Sequence, residues 1–203
     1  MPRKMLDLFS GLGGASQAFI DQGWEVHRLE NNLLLTDPTS KYFVPGTTHQ
    51  DINNWPFLDL PRGYYDFIWA SPPCTEFSDA MHSPKSKAAR AGIEFFPDLT
   101  LAKKTKEVIE YFDPPYYCVE NVRGSRKEFT KIFGPPWQIM FPFFFYGRFP
   151  RIKIAGFKHT KDSHDKGSRH PLRANYRGKI PYEISQAFCI ELMYQTRIED
   201  WIK

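Results

Sequence analysis

The residue most able to do chemistry in this chain is Cys74, which stands directly after a short apolar segment. The segment "YDFIWAS" (65–71) has the composition of a strand, and Pro72 and Pro73 separate it from the cysteine. A thiol at a strand end can act as a nucleophile, whereas a cysteine that only fills space more often lies inside the apolar run. Because proline fixes φ, the two prolines would stiffen the turn that aims the thiol. We therefore expect Cys74 to be a nucleophile.

A carboxyl group occupies a similar position in the next apolar segment, "YYCVENV" (116–122), which carries Glu120 near its end. Since the carboxyl ends of parallel strands meet at one edge of a sheet, Glu120 would face the same pocket as Cys74. A cytosine ring needs such a pair: a thiolate adds to C6 while an acid protonates N3, which leaves C5 nucleophilic towards an electrophilic methyl group. Burial would raise the pKa of this carboxyl and keep it protonated near neutral pH.

A glycine-rich turn follows the first apolar segment, in "DLFSGLGGASQAF" (7–19). Gly11, Gly13 and Gly14 would let a ligand approach the backbone at the start of a helix, although tight packing alone would also need them. Glu30 ends the next strand roughly 20 residues further on, where an acid commonly binds ribose hydroxyls. The pattern predicts a nucleoside-bearing cofactor, but it would also suit a dinucleotide dehydrogenase.

Strand-like and helix-like segments alternate along the chain, and this alternation must position the reactive groups. The predicted strands cover residues 4–10, 24–31, 48–51, 65–71 and 116–122, and the predicted helices cover 14–22, 98–112 and 183–198. A strand pair over 137–147 and 151–157 would complete one edge, and 79–97 would be a long loop that could close over the base. Such alternation predicts an α/β protein with a mainly parallel sheet and helices on both faces.

Composition limits the class of protein. A chain of 203 residues with 41% hydrophobic content suits a single domain over 1–203. No apolar run approaches the roughly 18 residues that cross a bilayer and no signal peptide is visible, so we expect a cytoplasmic protein with no membrane partner. The odd number of cysteines and the irregular spacing of His159, His164 and His170 predict neither disulfides nor a metal. Cys118 and Cys189 lie inside predicted elements, and we assign them no chemistry.

Three motifs together resemble the DNA cytosine-C5 methyltransferases. "DLFSGLGG" resembles their S-adenosylmethionine loop, "SPPCTEFS" their Pro-Cys nucleophile motif, and "ENV" their base-contacting glutamate motif, in the same order. The resemblance implies a Rossmann-like methyltransferase fold, S-adenosyl-L-methionine as cofactor, and DNA with a flipped cytosine as partner. It also implies that Cys74 is the nucleophile, that Glu120 acts at N3, and that Glu30 holds the ribose. The other implied cofactor contacts are Phe9, Gly11, Gly13, Asp51 (to adenine) and Pro73.

The chain also departs from this family. The family shows two arginines on alternate residues of a strand, and here they are Arg148 and Arg151. We expect Arg151 to be the third catalytic residue, because Arg148 would point to the other face of the strand. The family's large target-recognition domain and Gly-Asn motif are not visible, as in compact, phage-like members. Such members serve DNA methylation and restriction-modification, and a protein partner could add target readout here.

The cations are unevenly distributed, although the net charge is only +4. Residues 158–179 hold seven Lys or Arg against two Asp, which predicts a loop that contacts the DNA backbone. A loop of this length has room for few base contacts, so we expect a short target sequence. The predicted nucleic-acid contacts are Lys85, Arg90, Lys166, Arg169 and Arg173.

Other functions remain open on the sequence. The substrate could be cytosine in RNA or a free nucleotide, the transferred group could be a modified one, and the chain could be a catalytically silent DNA-binding relative. "DPPYY" (113–117) resembles the catalytic motif of methyltransferases that act on exocyclic amines. Here, however, it follows a predicted helix and precedes a strand, which favours a simple turn between the two.

Overall fold

The computed structural model describes residues 2–78, 81, 83–159 and 169–202, with side chains up to residue 195. Seven strands lie in these residues: β1 (Lys4–Leu8), β2 (Glu25–Glu30), β3 (Thr47–His49), β4 (Phe67–Ala70), β5 (Tyr116–Val122), β6 (Gln138–Met140) and β7 (Phe143–Arg148). They form one sheet in the order β3-β2-β1-β4-β5-β7-β6. β1 to β5 are parallel to one another, while β7 is antiparallel to both β5 and β6.

Seven α-helices accompany the sheet in the described part of the chain. They are α1 (Gln17–Asp21), α2 (Leu33–Thr36), α3 (Pro84–Arg90), α4 (Thr100–Phe112), α5 (Arg126–Phe133), α6 (Arg173–Gly178) and α7 (Tyr182–Ile202). None of these helices combines the length and apolar character that crossing a bilayer requires.

The sheet is covered on both faces, which explains its continuous apolar strands. Every residue of β4 is buried. Ile68 and Trp69, which are adjacent in this strand, belong to different hydrophobic clusters because successive strand residues point to opposite faces of the sheet. Trp69 packs edge-to-face on Phe188 of α7, with ring centroids 4.9 Å apart. Ile68 lies in the cluster that contains Phe112 of α4. This arrangement is the α/β Rossmann-like methyltransferase fold that the sequence predicts.

The long helix α4 forms where the sequence predicts it. Its buried residues recur at helical spacing, and Asp98 Oδ1 accepts a hydrogen bond from the backbone N–H of Thr100, 2.8 Å away. The predicted strands at 4–10, 24–31, 65–71 and 116–122 are confirmed to within two residues at each end. The closing helix is confirmed as well, because α7 contains the predicted range.

Two predicted segments differ in the structure. The region 79–97 is not wholly a loop, because Ser83 Oγ accepts from Ser86 N–H (3.1 Å) and Pro84 opens α3. Residues 151–157 form no strand, and the edge pair β6–β7 lies entirely within 137–148. The reason is local: both backbone groups of Ile152 bond to the Gln138 side-chain amide, at 2.7 and 3.0 Å, instead of to a neighbouring strand.

Candidate active site

The loops that follow β1, β4 and β5 meet at the carboxyl edge of the parallel strands. β1 is flanked by β2 on one side and by β4 on the other, so the order in which successive strands are added to the sheet reverses at β1. Open α/β sheets bind ligands in the crevice at such a switch point. The backbone N–H of Ser71 donates to Leu8 O (3.2 Å), which ties the β4 loop to the β1 loop.

Cys74 is exposed, and the turn that carries it is anchored on both sides. After the cysteine, Phe77 is buried and packs edge-to-face on Phe129, with centroids 5.2 Å apart. Before it, the Pro72 carbonyl accepts a hydrogen bond of 2.9 Å from the side-chain amide of Asn121, which is buried. Asn121 follows Glu120 directly, so one hydrogen bond fixes the thiol turn relative to the strand that carries the carboxyl.

Glu120 is buried near the end of β5, and desolvation raises the pKa of its carboxyl to about 7. A hydrogen bond with Ser71 acts in the opposite direction. The Ser71 oxygen itself accepts from the indole N–H of Trp69, 2.9 Å away, which leaves the hydroxyl proton for Glu120. The carboxyl can therefore hold a proton near neutral pH, as the sequence predicts for an acid at this position.

The Glu120 carboxylate acts electrostatically on the Cys74 thiol. Although Cys74 is exposed, the protein atoms around its thiol raise the pKa by desolvation, and the Glu120 carboxylate raises it further. The guanidinium of Arg177 on α6 opposes this effect by stabilising the thiolate. Cys118 and Cys189 are buried, and burial raises the pKa of each thiol.

Arg177 was not singled out by sequence reasoning. In the sequence it is one of seven cations in 158–179, and nothing in its spacing distinguishes it from the others. It acts on Cys74 because of the tertiary position of α6, which packs against the turn after β1.

Arg151 lies beyond the end of β7, at the opposite end of that strand from the carboxyl edge of β5. Arg148 pairs with Tyr117 near the start of β5, so β7 runs away from the carboxyl edge and Arg151 follows beyond its end. The Arg151 guanidinium lies 5.0 Å from the centroid of the Trp137 ring, on the far side of β7 from Glu120. Arg148 donates instead to the carbonyls of Pro114 and Pro115.

The glycine-rich turn has the close packing that glycine permits. Phe9, Gly11 and Gly13 have φ values of 59°, 51° and 71°, all in the left-handed region. A Cβ on Gly13 would lie 2.7 Å from the guanidinium carbon of Arg28. Arg28 is buried, and it donates to Gly13 O at 3.0 Å and to Ser16 Oγ at 2.8 Å. Arg28 of β2 thus holds the turn in place through these hydrogen bonds.

Glu30 links the two loops beside this turn. Its Oε2 accepts from Gly11 N–H at 2.8 Å, and its Oε1 accepts from the N–H groups of Asn31 and Asn32 at 2.9 Å each. A carboxylate offers about four acceptor positions, so one remains on Oε2 for a ligand hydroxyl. Ser10 Oγ in the same turn is buried and has no hydrogen-bond partner among the described residues. These groups fit a nucleoside-bearing cofactor.

The other expected cofactor residues are also at this edge. Asp51 follows β3, and its Oδ1 accepts from the backbone and side chain of Asn53 at 2.9 and 3.1 Å. Pro73 is exposed beside Cys74. No cluster of three or more His, Cys, Asp or Glu that could hold a metal occurs in the described part of the chain.

The basic segment is only partly the loop that the sequence predicts. Lys166 lies outside the described residues, and Arg173 begins α6, whose neighbour Leu172 is fully buried. The amide nitrogen of Asn175 lies 3.6 Å from the position that a Cβ on Gly11 would take, so α6 covers the glycine-rich turn. Arg169 and Arg173 therefore belong to a segment that packs over the cofactor side.

Known proteins match the part of the chain that carries the reactive groups. The sequence model of the C-5 cytosine-specific DNA methylase family matches residues 3–133, which include Cys74 and Glu120. The "Probable DNA (cytosine-5)-methyltransferase" of Frog virus 3 (isolate Goorha) is 31% identical over 135 residues, which are 62% of this chain and 57% of that protein. The chain therefore spans a little more than half the length of this curated relative.

Two solved structures resemble part of the chain. One is a protein encoded within a prophage of E. coli, with a TM-score of 0.41 and 20% identity, covering 71% of this chain and 46% of that one. The other is the methyltransferase EhMeth of Entamoeba histolytica, with a TM-score of 0.44 and 18% identity, covering 66% of this chain and 43% of that one. The family match, rather than these two structures, bears on the chemistry.

Proposed function

Because the chain belongs to the C-5 cytosine-specific DNA methylases, we propose that it transfers a methyl group from S-adenosyl-L-methionine to C5 of cytosine in DNA. The observation that supports this proposal is the hydrogen bond from Asn121 to the Pro72 carbonyl, which joins the turn of Cys74 to the strand end that carries the buried, readily protonated carboxyl of Glu120. Neither group alone would indicate the reaction, since a thiol suits many acceptors and a buried acid many proton transfers.

In the proposed reaction the Cys74 thiolate forms a bond to C6 of a flipped cytosine, while the Glu120 carboxyl gives its proton to N3. The electron pair of the C5–C6 bond then becomes available at C5, which bonds to the incoming methyl group. A water molecule then takes the C5 proton, the electrons of that C–H bond re-form the C5–C6 double bond and expel the thiolate, and N3 returns its proton to Glu120, which restores the aromatic ring. Asn121 would position the thiol for this sequence, because it holds the Pro72 carbonyl.

S-Adenosyl-L-methionine supplies an electrophilic methyl group when it is bound. Phe9, Gly11 and Gly13 would line it, the free acceptor position of Glu30 would take a ribose hydroxyl, and Asp51 would contact the adenine. We add Asn175 to this set because it lies against Gly11. Pro73 would separate the cofactor from the thiol, since it sits between the β4 strand and Cys74.

We assign to Arg177 the role that we expected of Arg151. A guanidinium that stabilises the Cys74 thiolate raises the fraction of reactive thiolate at neutral pH. Arg177→Gln should therefore raise the pKa of Cys74 and slow its alkylation by iodoacetamide near pH 8, because a stabilising charge has been removed. The pH dependence of alkylation, followed at Cys74 by mass spectrometry, measures this change.

Arg173→Gln is the matched control for that experiment. It removes the same charge from the first turn of the same helix, yet Arg173 is not among the groups that shift the Cys74 pKa. An unchanged thiol pKa in Arg177→Gln, or an equal rise in both variants, would contradict the assignment.

Cofactor affinity tests the role of Glu30. Glu30→Ala should weaken S-adenosylhomocysteine binding by roughly tenfold to a hundredfold, because it removes a charged acceptor and loosens the loop that Gly11 begins. Isothermal titration calorimetry measures the affinity. Glu25→Ala, at the other end of β2, removes an exposed acid of the same strand and should bind the ligand as the native protein does.

The reaction itself is tested by incubating the protein with labelled S-adenosylmethionine and DNA, RNA or cytidine nucleotides in parallel. We expect 5-methylcytosine in the DNA digest, identified by mass spectrometry. Label on an exocyclic amine would overturn the mechanism, and label in RNA or free nucleotide alone would overturn the substrate. DNA binding without any transfer would indicate a silent relative.

A further inference from the structure

A buried arginine, Arg28, lies against the glycine-rich turn that follows β1. It belongs to β2, and only 4% of its surface is exposed. A guanidinium in the interior loses its hydration, so its burial costs free energy unless fixed acceptors take the place of water. An apolar side chain in this strand would carry no such cost. The acceptors around Arg28 therefore indicate its role.

The Arg28 guanidinium donates to neutral oxygen atoms of three chain segments. Its Nε bonds to Ser16 Oγ at 2.8 Å, and its Nη2 bonds to Gly13 O at 3.0 Å and to Gln17 Oε1 at 3.2 Å. Its Nη1 lies 3.5 Å from Pro45 O, in the loop before β3. One rigid planar group thus joins the glycine-rich turn, the start of α1 and the loop before β3.

An acid anchors this guanidinium through a hydroxyl group. The strand register places Asp7 of β1 opposite Arg28, so both side chains lie on one face of the sheet. Ser16 Oγ accepts from Arg28 and donates to Asp7 Oδ2, 2.6 Å away. Asp7 Oδ1 has no hydrogen-bond partner among the described residues, so Ser16 is the hydrogen-bonded link between the two charges.

The bond to Gly13 fixes the direction of one peptide group in the turn. A trans peptide is planar, and its C=O and N–H point in opposite directions. Because the Gly13 carbonyl points towards Arg28, the N–H of Gly14 points away from it. A turn that binds a ligand through its backbone needs such orientations before the ligand arrives, since ordering the turn during binding would reduce affinity.

We propose that Arg28 is a positioning residue for the cofactor: its fork of donors, anchored on Asp7 through Ser16, holds the glycine-rich turn in the conformation that binds S-adenosyl-L-methionine. The inference rests on the proposed function, which supplies the identity of the ligand. A buried charged group is a poor source of stability, so conformational specificity accounts better for its presence. The planar fork matters more than the charge, because an ammonium group cannot reproduce its geometry towards Gly13 and Ser16.

Arg28→Lys keeps the charge and removes the fork. It should weaken S-adenosylhomocysteine binding by about tenfold or more, because the turn loses charge-assisted hydrogen bonds to a fixed donor. Isothermal titration calorimetry measures the affinity at a temperature at which urea unfolding shows the variant to be folded. The rate of Cys74 alkylation should stay native, since the thiol follows β4 and the turn follows β1.

Arg148→Lys is the matched control. Arg148 also donates to two backbone carbonyls, those of Pro114 and Pro115, but it lies on β7, which is not adjacent to β1 or β2. The same exchange of a fork for an ammonium group should therefore leave S-adenosylhomocysteine affinity at the native value. An equal loss in both variants would contradict a specific role for Arg28.

A paired variant, Asp7→Asn with Arg28→Met, guards against misfolding of the single variant. It removes both charges at once, so no buried charge is left uncompensated. The paired variant should fold and should bind S-adenosylhomocysteine at least as weakly as Arg28→Lys does. Native affinity in either variant would overturn the inference, and so would unfolding of both, which would show that Arg28 serves the fold alone.

Hydrogen exchange in the ligand-free protein separates this inference from the proposed function. The amides of residues 10–16 should exchange faster in Arg28→Lys than in the native protein, while those of β4 and β5 should be unchanged. If the native protein binds no S-adenosylhomocysteine and exchange still rises in this segment, Arg28 positions the turn and the proposed cofactor is wrong. If the native protein methylates DNA while Arg28→Lys keeps native affinity and native exchange, the Arg28 inference alone fails.

Discussion

Replacing Cys74 by serine should abolish methyl transfer, with a loss on the order of 10⁴-fold or more, while folding and cofactor affinity stay close to native. A hydroxyl is far less nucleophilic than a thiolate, and among the described residues no base contacts this position to activate it. The substitution is nearly isosteric at an exposed site, so it should not disturb the packing of Phe77. Transfer of labelled methyl groups to duplex DNA measures the loss.

Cysteine controls make the test specific. Cys118→Ala and Cys189→Ala change buried thiols that lie on β5 and α7, away from the carboxyl edge, so they should alter stability more than activity. A duplex with 5-fluorocytosine should become covalently attached to the native protein, because fluorine at C5 cannot leave as a proton does. An active preparation that forms no such adduct would contradict a covalent mechanism at C6.

Glu120→Gln should reduce turnover by about 10²-fold or more, because the amide cannot give a proton to N3. Cofactor affinity should be nearly unchanged, since Glu120 lies on β5 and the glycine-rich turn follows β1. Initial rates at saturating DNA and cofactor measure the effect. A loss of affinity as large as that expected for Glu30→Ala would refute the separation of the two roles.

Glu120→Gln should also change the pKa of Cys74 and the alkylation rate of its thiol, which substitution of a merely structural residue would leave unchanged. The Glu120 carboxylate raises the pKa of Cys74, so Glu120→Gln should lower that pKa and speed alkylation of the thiol at neutral pH. Arg177→Gln should have the opposite effect. The two variants thus test, with one chemical probe, whether both side chains act on the same thiol.

Glu120→Gln should increase stability at alkaline pH, although it reduces activity. The folded-state pKa of Glu120 is about 7, above the usual value of 4.5, so the native state binds this proton more tightly than the unfolded state. Its contribution to the free energy of unfolding is therefore full below pH 4.5 and is lost as the pH rises through 7. In Glu120→Gln this loss should disappear, and at pH 8 the variant should be more stable by on the order of 1 to 3 kcal/mol. Urea unfolding at acid and alkaline pH measures the difference.

Local sequence signals determined the frame of the fold and its most reactive residues. The apolar segments that became β1, β4 and β5 are buried on both faces, which leaves little freedom in their assignment. Since parallel strands place their carboxyl ends at one edge, the sequence positions of Cys74 and Glu120 already predict that both lie at that edge. The tight turn after β1 could also be predicted from its glycines, because few other residues adopt the left-handed backbone angles found there.

Contacts between distant segments were decided only by the tertiary structure. Arg177 acts on Cys74, and Asn175 lies against Gly11, because α6 crosses the carboxyl edge about 100 residues after the thiol. Arg151 lies beyond the end of β7 because that strand runs antiparallel to β5, and no strand follows there because Gln138 bonds to the backbone of Ile152. Periodicity and motif spacing describe what a residue does within its own element, whereas these contacts depend on how separate elements pack, which no local pattern encodes.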